Sequence, residues 1–430
     1  MNREREPLFS IASRFGVFYG WVMLAVTTVT QICSSPGQTY GVSAFNSSIR
    51  ESLGLSDTSL TGAYMLGTLL ASLPMTFVGA MFDRFGARRT LIGVVFIFGL
   101  ACIATSRVSG LVTLFLAFLF LRLGGQGAMS LMASNTDAMW FHRRLGTAAG
   151  IKRVVGSLLI GVVPPLHIWL IGVFGWRTAY AVLGLCVWLT MGLILLILFR
   201  NRPQSIGLLP DGDSPEERNR DKLADELKKT GFTVKQALRT RAYWIMAVAS
   251  SLWSMIATGI TFNLQPIFLE HGFAVENAAT WFTISSVASA VTFPISGILA
   301  DRVRLHFLLS FASMGLLAGI LLLIYFQSIV LGYAGALAFG IGHSFFFTIL
   351  ATLYVRFYGR AHLGKIRGSM STMLVASSAL GPFIMGFLND QFGGYGVSLW
   401  VFAAAVSPVI FLALLATPPK APQEIKGGAI

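Results

Sequence analysis

Apolar runs of about 20 residues recur along the whole of this 430-residue sequence, in which 55% of residues are hydrophobic and only 12% are charged. A water-soluble domain carries about a quarter charged residues. This chain cannot coat itself in that way, so its solvent is lipid, and its runs are long enough to cross a hydrocarbon core about 30 Å thick as helices. In order they cover about 18–45, 59–82, 90–106, 111–140, 145–172 and 179–199, then 243–268, 279–300, 307–326, 329–358, 368–388 and 397–415, here called spans 1 to 12. The 45 glycines suit close helix–helix approach. The expected fold is an all-α membrane protein of about twelve transmembrane helices.

The runs form a duplicated set. Gly79 and the pair Asp83-Arg84 recur 218 positions later as Gly297 and Asp301-Arg302, and the same offset relates Gly124 to Gly342, Gly150 to Gly368, Pro164 to Pro382 and Phe174-Gly175 to Phe392-Gly393. One register held over this length marks two copies of one six-helix unit. The expected organisation is a tail at 1–17, a first half at 18–199, a charged linker at 200–241, a second half at 242–416 and a tail at 417–430. Within the linker, Thr233 and Gln236 stand at capping-box spacing and predict a short helix before span 7. Ser56 and Asp57 are the N-cap candidates of span 2.

The net charge of +14 could suggest a nucleic-acid partner, but its distribution excludes that reading. With spans alternating in direction, Arg50, Arg107 and Arg177 fall on one side and Arg122 within a span, and the other 28 of the 32 Lys and Arg fall on or near the opposite side. This bias places both termini in the cytoplasm of a multi-pass protein of the cell membrane, expected to be a bacterial inner membrane. The basic surface meets the lipid bilayer, not nucleic acid. The three cysteines lie in apolar runs without metal-ligand spacing. No phosphate-binding loop, metal motif or nucleophile elbow occurs, so the chain is read as a non-enzyme without cofactor or metal, driven by a gradient. It is expected to act as a monomer.

Residues 79–89 read Gly-Ala-Met-Phe-Asp-Arg-Phe-Gly-Ala-Arg-Arg. This turn resembles the loop signature of the major facilitator superfamily, Gly-x-x-x-Asp-Arg-x-Gly-x-Arg-Arg, between that family's second and third helices. The copy at 297–302 is a shortened form. Trp-Phe-His-Arg-Arg-Leu-Gly-Thr-Ala-Ala-Gly at 140–150, with Tyr19-Gly20-Trp21, Arg202-Pro203 and Gly-Leu-Leu-Pro at 207–210, resembles the monocarboxylate and oxalate–formate transporter branch. The resemblance implies two pseudo-symmetric halves, alternating access, and a central cavity lined by helices 1, 4, 7 and 10. The chain departs from that branch in three places. Residues 281–296 hold no charge, the eleventh helix has no deep lysine (Lys365 lies near its mouth), and Lys152 and Arg153 stand where small residues are expected.

Arg122 lies 12 residues past Gly110, about 18 Å along a helix and near the bilayer midplane. A cation there must meet protein partners or water. Arg122-Leu-Gly-Gly-Gln-Gly resembles the superfamily's fourth-helix motif. His343, one position from the repeat mate of Gly124, sits at similar depth on span 10 and is the candidate for proton coupling. All 18 acidic residues read as loop, tail or span-end residues, with Asp137 at the border, so the interior is expected to hold cations and no buried carboxylate. Such a cavity favours an anion that supplies its own counter-charge. Substrate contacts are therefore expected from Arg122 and His343, with Gln38, Asn263 and Gln265 on spans 1 and 7 as secondary contacts. Asp83, Arg84, Asp301 and Arg302 are the expected gate, and Lys152 and Arg153 the lip of an anion path on the cytoplasmic side. Each has a plainer alternative: Arg122 bonded to helix carbonyls, His343 neutral against a carbonyl, Lys152 and Arg153 pairing with Asp137 or lipid phosphate.

The leading expectation is a secondary transporter of a small organic anion, a mono- or dicarboxylate, working as symporter or antiporter with protons or a counter-anion as coupling partner. An exporter of a drug or other hydrophobic compound would suit the aromatic content of 12% and the 15 methionines. A non-transporting membrane receptor on the same fold is the alternative from another class.

Overall fold

The computed structural model describes residues 18–142, 144–212, 232–359 and 363–419; both tails beyond these limits and 213–231 of the linker lie outside the described residues. Nine of the described helices are each long and apolar enough to cross a membrane. One of them, Leu145–Ile197, would extend about 80 Å if continuous. It turns back at Gly175, whose φ of 74° and ψ of 157° are not helical, and so forms spans 5 and 6. Span 1 is divided into Gly20–Cys33, Ser35–Gly37 and Thr39–Ser43, and span 2 into Asp57–Ser72 and Met75–Phe85. Span 3 is Ala87–Thr105 and span 4 is Leu111–Trp140. Spans 7 to 12 are Arg241–Glu270, Val275–Arg302, Leu305–Ile324, Ile329–Tyr358, Leu363–Phe392 and Gly396–Leu414. The result is an all-α membrane fold of twelve crossing segments in two six-helix halves.

An even number of crossings puts both ends of the chain on one face, called here the terminal face; the other is the distal face. At the distal face the duplication reaches the backbone. Gly54, which caps the helix Asn46–Leu53 that follows span 1, and Gly272, which follows span 7, have φ of 61° and 77°, and Gly175 and Gly393, which follow spans 5 and 11, have 74° and 72°. Only glycine adopts this conformation without a Cβ penalty, so both copies keep it at the same turns. Before span 7, Thr233 Oγ1 accepts from the Gln236 amide and Gln236 Oε1 accepts from the Thr233 amide, which starts the short helix Val234–Leu238 as its sequence predicts. Ser56 caps span 2 by accepting from the Ser59 amide.

Each half has its own buried core. Phe262 of span 7 is an exception, packing in the first half's core with its ring centroid 4.2 Å from that of Tyr64. The halves meet most closely near the distal face. There Asn46 Nδ2 donates to the Phe262 carbonyl at 2.8 Å and Gln265 Nε2 to the Ala44 carbonyl at 3.3 Å. Asn389 and Tyr395 donate to the Asp57 carboxylate, and Asp390 accepts from the amides of Asp57 and Thr58 at the start of span 2. A Cβ at Gly386 would fall 2.4 Å from Thr61 Oγ1, so spans 2 and 11 touch through that glycine. Towards the terminal face, the last described hydrogen bond that joins the halves is Arg153 Nη1 to the Phe347 carbonyl, 3.0 Å. The structure is closed at the distal face.

Candidate functional site

A cavity of about 250 Å³ lies between the halves at mid-depth. Span 1 contributes Thr39 and Tyr40 and span 5 contributes Ser157 and Ile160; the remaining lining comes from spans 7, 8, 10 and 11 of the second half. Among the described residues of the lining, His343 is the one titratable nitrogen base, and none is Asp, Glu, Lys or Arg. Its ring lies 4.6 Å from that of Phe347, and its Nδ1 is buried without a hydrogen-bond partner among the described residues. The indole nitrogens of Trp253 and Trp281, two more lining residues, are also buried and unpartnered. A buried N–H without an acceptor is costly, and such groups call for an explanation.

Arg122 is placed behind this cavity. It is 2% exposed and begins a π-helical segment, Arg122–Met129, in the middle of span 4. Facing it, span 1 is interrupted at Pro36, which has no N–H and cannot continue a helix. The chain passes through an extended Gln38, leaving the Gly37 carbonyl outside any helical ladder. Arg122 Nη1 donates to that carbonyl and to Thr39 Oγ1, both at 3.2 Å, and Nε donates to Thr68 Oγ1 at 3.1 Å. The guanidinium carbon stands 4.9 Å from the Tyr64 ring centre, while Nη2 is buried without a partner. A side chain at Gly37 would collide with the Leu121 carbonyl at 2.1 Å, so this approach of spans 1 and 4 requires glycine. Arg122 therefore reaches the cavity through Thr39, which lines it.

The other expected contacts are dispersed. Gln38 donates to Ser34 and Ser130 within the first half. Asn263 donates to the Gly259 carbonyl of its own helix, and Gln265 belongs to the distal closure. The lining does not include these three residues. Lys152 is engaged by Asp137 at 2.6 Å, with Thr27 donating to the other carboxylate oxygen. Asp137 is 8% exposed and lies inside span 4, so the interior does hold a carboxylate. The expectation of an acid-free interior is corrected there: the ammonium of Lys152 and the hydroxyl of Thr27 compensate the buried carboxylate. Asp301 is 75% exposed and pairs within its own half with Arg356 at 2.5 Å. Arg84 and Arg302 are exposed, and the side chains of Asp83 and Lys365 lie outside the described residues.

Sequence reasoning missed the distal closure and the cavity wall. Asp57 is 4% exposed and binds Arg50, Asn389 and Tyr395 together. Burial, with the Asp57 carboxylate beside it, holds the Tyr395 phenol well above its ordinary range, so that hydroxyl keeps its proton and donates. An acid at the first turn of a helix reads as a dipole partner, and nothing local announces a residue 338 positions away.

The sequence profile of the Major Facilitator Superfamily matches residues 27–374 and, in a second overlapping match, 266–429. The "Probable sulfoacetate transporter SauU" of Cupriavidus necator is 24% identical over 399 residues, covering 86% of this chain and 87% of the relative. The "Probable L-galactonate transporter" of Escherichia coli is 30% identical over 169 residues, 37% of this chain and 35% of its own length. Among solved structures, a bacterial homologue of the human lysosomal transporter Spinster, in an inward-facing and unoccupied conformation, superposes with a TM-score of 0.65 at 14% identity over 93% of this chain and 95% of that one. With two six-helix halves, a cavity between them and a family profile spanning most of its length, this chain belongs to the Major Facilitator Superfamily.

Proposed function

We propose that the protein is a secondary transporter that carries a small organic anion across a bacterial inner membrane by alternating access. The observation that carries this reading is the sign of the site: among the described residues the cavity is lined by no carboxylate, and two cations of the first half approach it. Arg122 acts on it through Thr39, and Arg153 stands against the Phe347 carbonyl of the lining. A positive potential without a competing acid in the lining selects for negative charge. The relatives named for sulfoacetate and L-galactonate transport support the same class.

In this reading the terminal face is cytoplasmic, both tails lie inside, and the closed distal face makes this the inward-facing state. The halves at 18–199 and 242–416 move as units joined by the linker at 200–241. Asp83-Arg84 and Asp301-Arg302 close the cytoplasmic side in the opposite state. His343 contacts the substrate, Arg153 forms the lip, and Lys152 steadies span 5 through Asp137. Gln38, Asn263 and Gln265 hold the shapes of spans 1 and 7. The driving proton travels on His343 or on the substrate itself.

The test is uptake by proteoliposomes of labelled carboxylates and sulfonates, with and without a proton gradient. Saturable uptake of at least one anion is expected. No anion uptake, with transport of uncharged or basic hydrophobic compounds, would replace this reading by an exporter, the second reading that the aromatic lining favours. Binding without flux would return the receptor reading.

A further inference from the structure

The cavity has a second chemical character besides its sign. Its second-half wall sets rings among the serines Ser254, Ser285, Ser286 and Ser289. Trp253 of span 7 stacks on Phe346 of span 10 with centroids 4.7 Å apart and planes inclined by 11°. Trp281 of span 8 stands 5.1 Å from Phe339 of span 10, and His343 lies 4.6 Å from Phe347. All six line the same space. On span 7 the hydroxyls of Thr258 and Thr261 also line it and make no hydrogen bond among the described residues. Thr39 faces them from span 1 with Arg122 behind it.

We infer that the transported anion is an acid with a flat aryl body. Its ring lies against the wall of Trp253, Trp281, Phe339 and Phe346, and its acid group lies among the hydroxyls of Thr39, Thr258 and Thr261 within reach of the Arg122 potential. This inference rests on the organic-anion reading and narrows its substrate class. Three arguments support it. The first is size: an apolar cavity of roughly 150 Å³ suffices to hold a benzene ring, and about 250 Å³ adds room for an acid arm. A two-carbon acid would leave most of that space and most of the rings uncovered. The second is matching. The lining hydroxyls of Ser157, Ser254, Ser285 and Ser289 already donate to backbone carbonyls, so a polyhydroxylated acid would press most of its own hydroxyls against ring faces that accept hydrogen bonds poorly, which penalises its transfer from water. A flat ring instead gains offset or edge contacts with the wall. The third is the division of the site: apart from Tyr40 the rings come from the second half, while Arg122 and Arg153 belong to the first, so a ligand with one apolar and one anionic end bridges them as the halves approach.

The test is calorimetric binding to the purified full-length protein in detergent. The probes are benzoate, phenylacetate and benzenesulfonate, with acetate, sulfoacetate and galactonate as aliphatic acids and benzamide as an uncharged aryl control. At least one aryl acid is expected to bind about 10- to 100-fold more tightly than every aliphatic acid. Trp253→Ala should remove that advantage and Trp253→Phe should keep most of it, which separates ring contact from loss of folding. Thr261→Val should weaken the aryl acid and leave benzamide unchanged. Aliphatic acids that bind as tightly as the aryl acids would overturn the inference while leaving the anion reading standing. Benzamide binding as tightly as benzoate would overturn the anion reading itself. Failure of all three aryl acids to bind monodisperse protein would overturn the inference as well.

Discussion

The hydroxyl of Tyr395, just before span 12, donates to the carboxylate of Asp57, at the start of span 2, at 2.9 Å across the boundary between the halves. Asp57 also takes Arg50 from its own half and Asn389 from the other. Hydrogen bonds to a charged group contribute about 1.5–3 kcal/mol each. Tyr395→Phe is therefore expected to shift the population towards the state open at the distal face by roughly tenfold or more. Distances between spin labels on the distal ends of spans 2 and 11 should lengthen in this variant. An unchanged distance distribution would remove Tyr395 from the closure.

Arg122 and Thr39 are expected to act as one unit in binding. Arg122→Gln removes the charge behind Thr39, and Thr39→Val removes the hydroxyl that presents it, so each should weaken the bound anion by about tenfold, roughly 1.4 kcal/mol. The double variant should lose little more than either single one. Additive losses would mean that Arg122 acts on the ligand by another route. Arg122→Lys keeps the charge but not the planar group that holds Gly37 and Thr39 through Nη1 and Thr68 through Nε, and should retain only part of the affinity.

Lys152 and Asp137 are a nearly buried pair, with side chains 15% and 11% exposed. Lys152→Met leaves the carboxylate uncompensated and is expected to destabilise the folded protein by about 3 kcal/mol. Adding Asp137→Asn should recover most of that loss. Thermal unfolding in detergent reads both changes, and a wild-type midpoint in the single variant would contradict the pairing.

Asp301, being 75% exposed in its contact with Arg356, contributes under about 1 kcal/mol to this state. Asp301→Asn is therefore expected to leave stability near wild type, and Asp301→Asn and Asp83→Asn are each expected to slow net uptake several-fold more than they weaken substrate binding. Net uptake and exchange that both remain at the wild-type rate would exclude the two carboxylates from gating.

His343 lines the cavity, so His343→Gln should preserve downhill flux while flattening the dependence of uptake on external pH. A normal pH profile in the variant would assign the proton to the substrate.

Much of this architecture is written locally and much of the site is not. Composition and run length define the crossing segments, and the paired glycines at 175 and 393 mark equivalent turns because φ near 70° is a property of one residue. The helix before span 7 follows from Thr233 and Gln236, three positions apart. The aim of a polar side chain in a span depends instead on how that helix is rotated against partners from the other copy. Gln38, Asn263 and Gln265 look alike in sequence and end in three different settings, none of them in the cavity lining. Arg122 could be located by depth, but its contact with the Gly37 carbonyl depends on a helix interruption 85 positions earlier. The ring wall escaped notice for a related reason, since aromatic residues in an apolar run look the same whether they face lipid, core or cavity.

Apart from Tyr40, the rings of the cavity are drawn from the second copy, while the turns at the distal face are shared by both. The turns keep one backbone conformation in both halves, and the cavity surfaces differ between them. Selectivity can therefore drift by exchanges on spans 7, 8 and 10 without disturbing the moving parts, and a chimera that transplants those three surfaces into a related carrier would carry its preference for cargo with it.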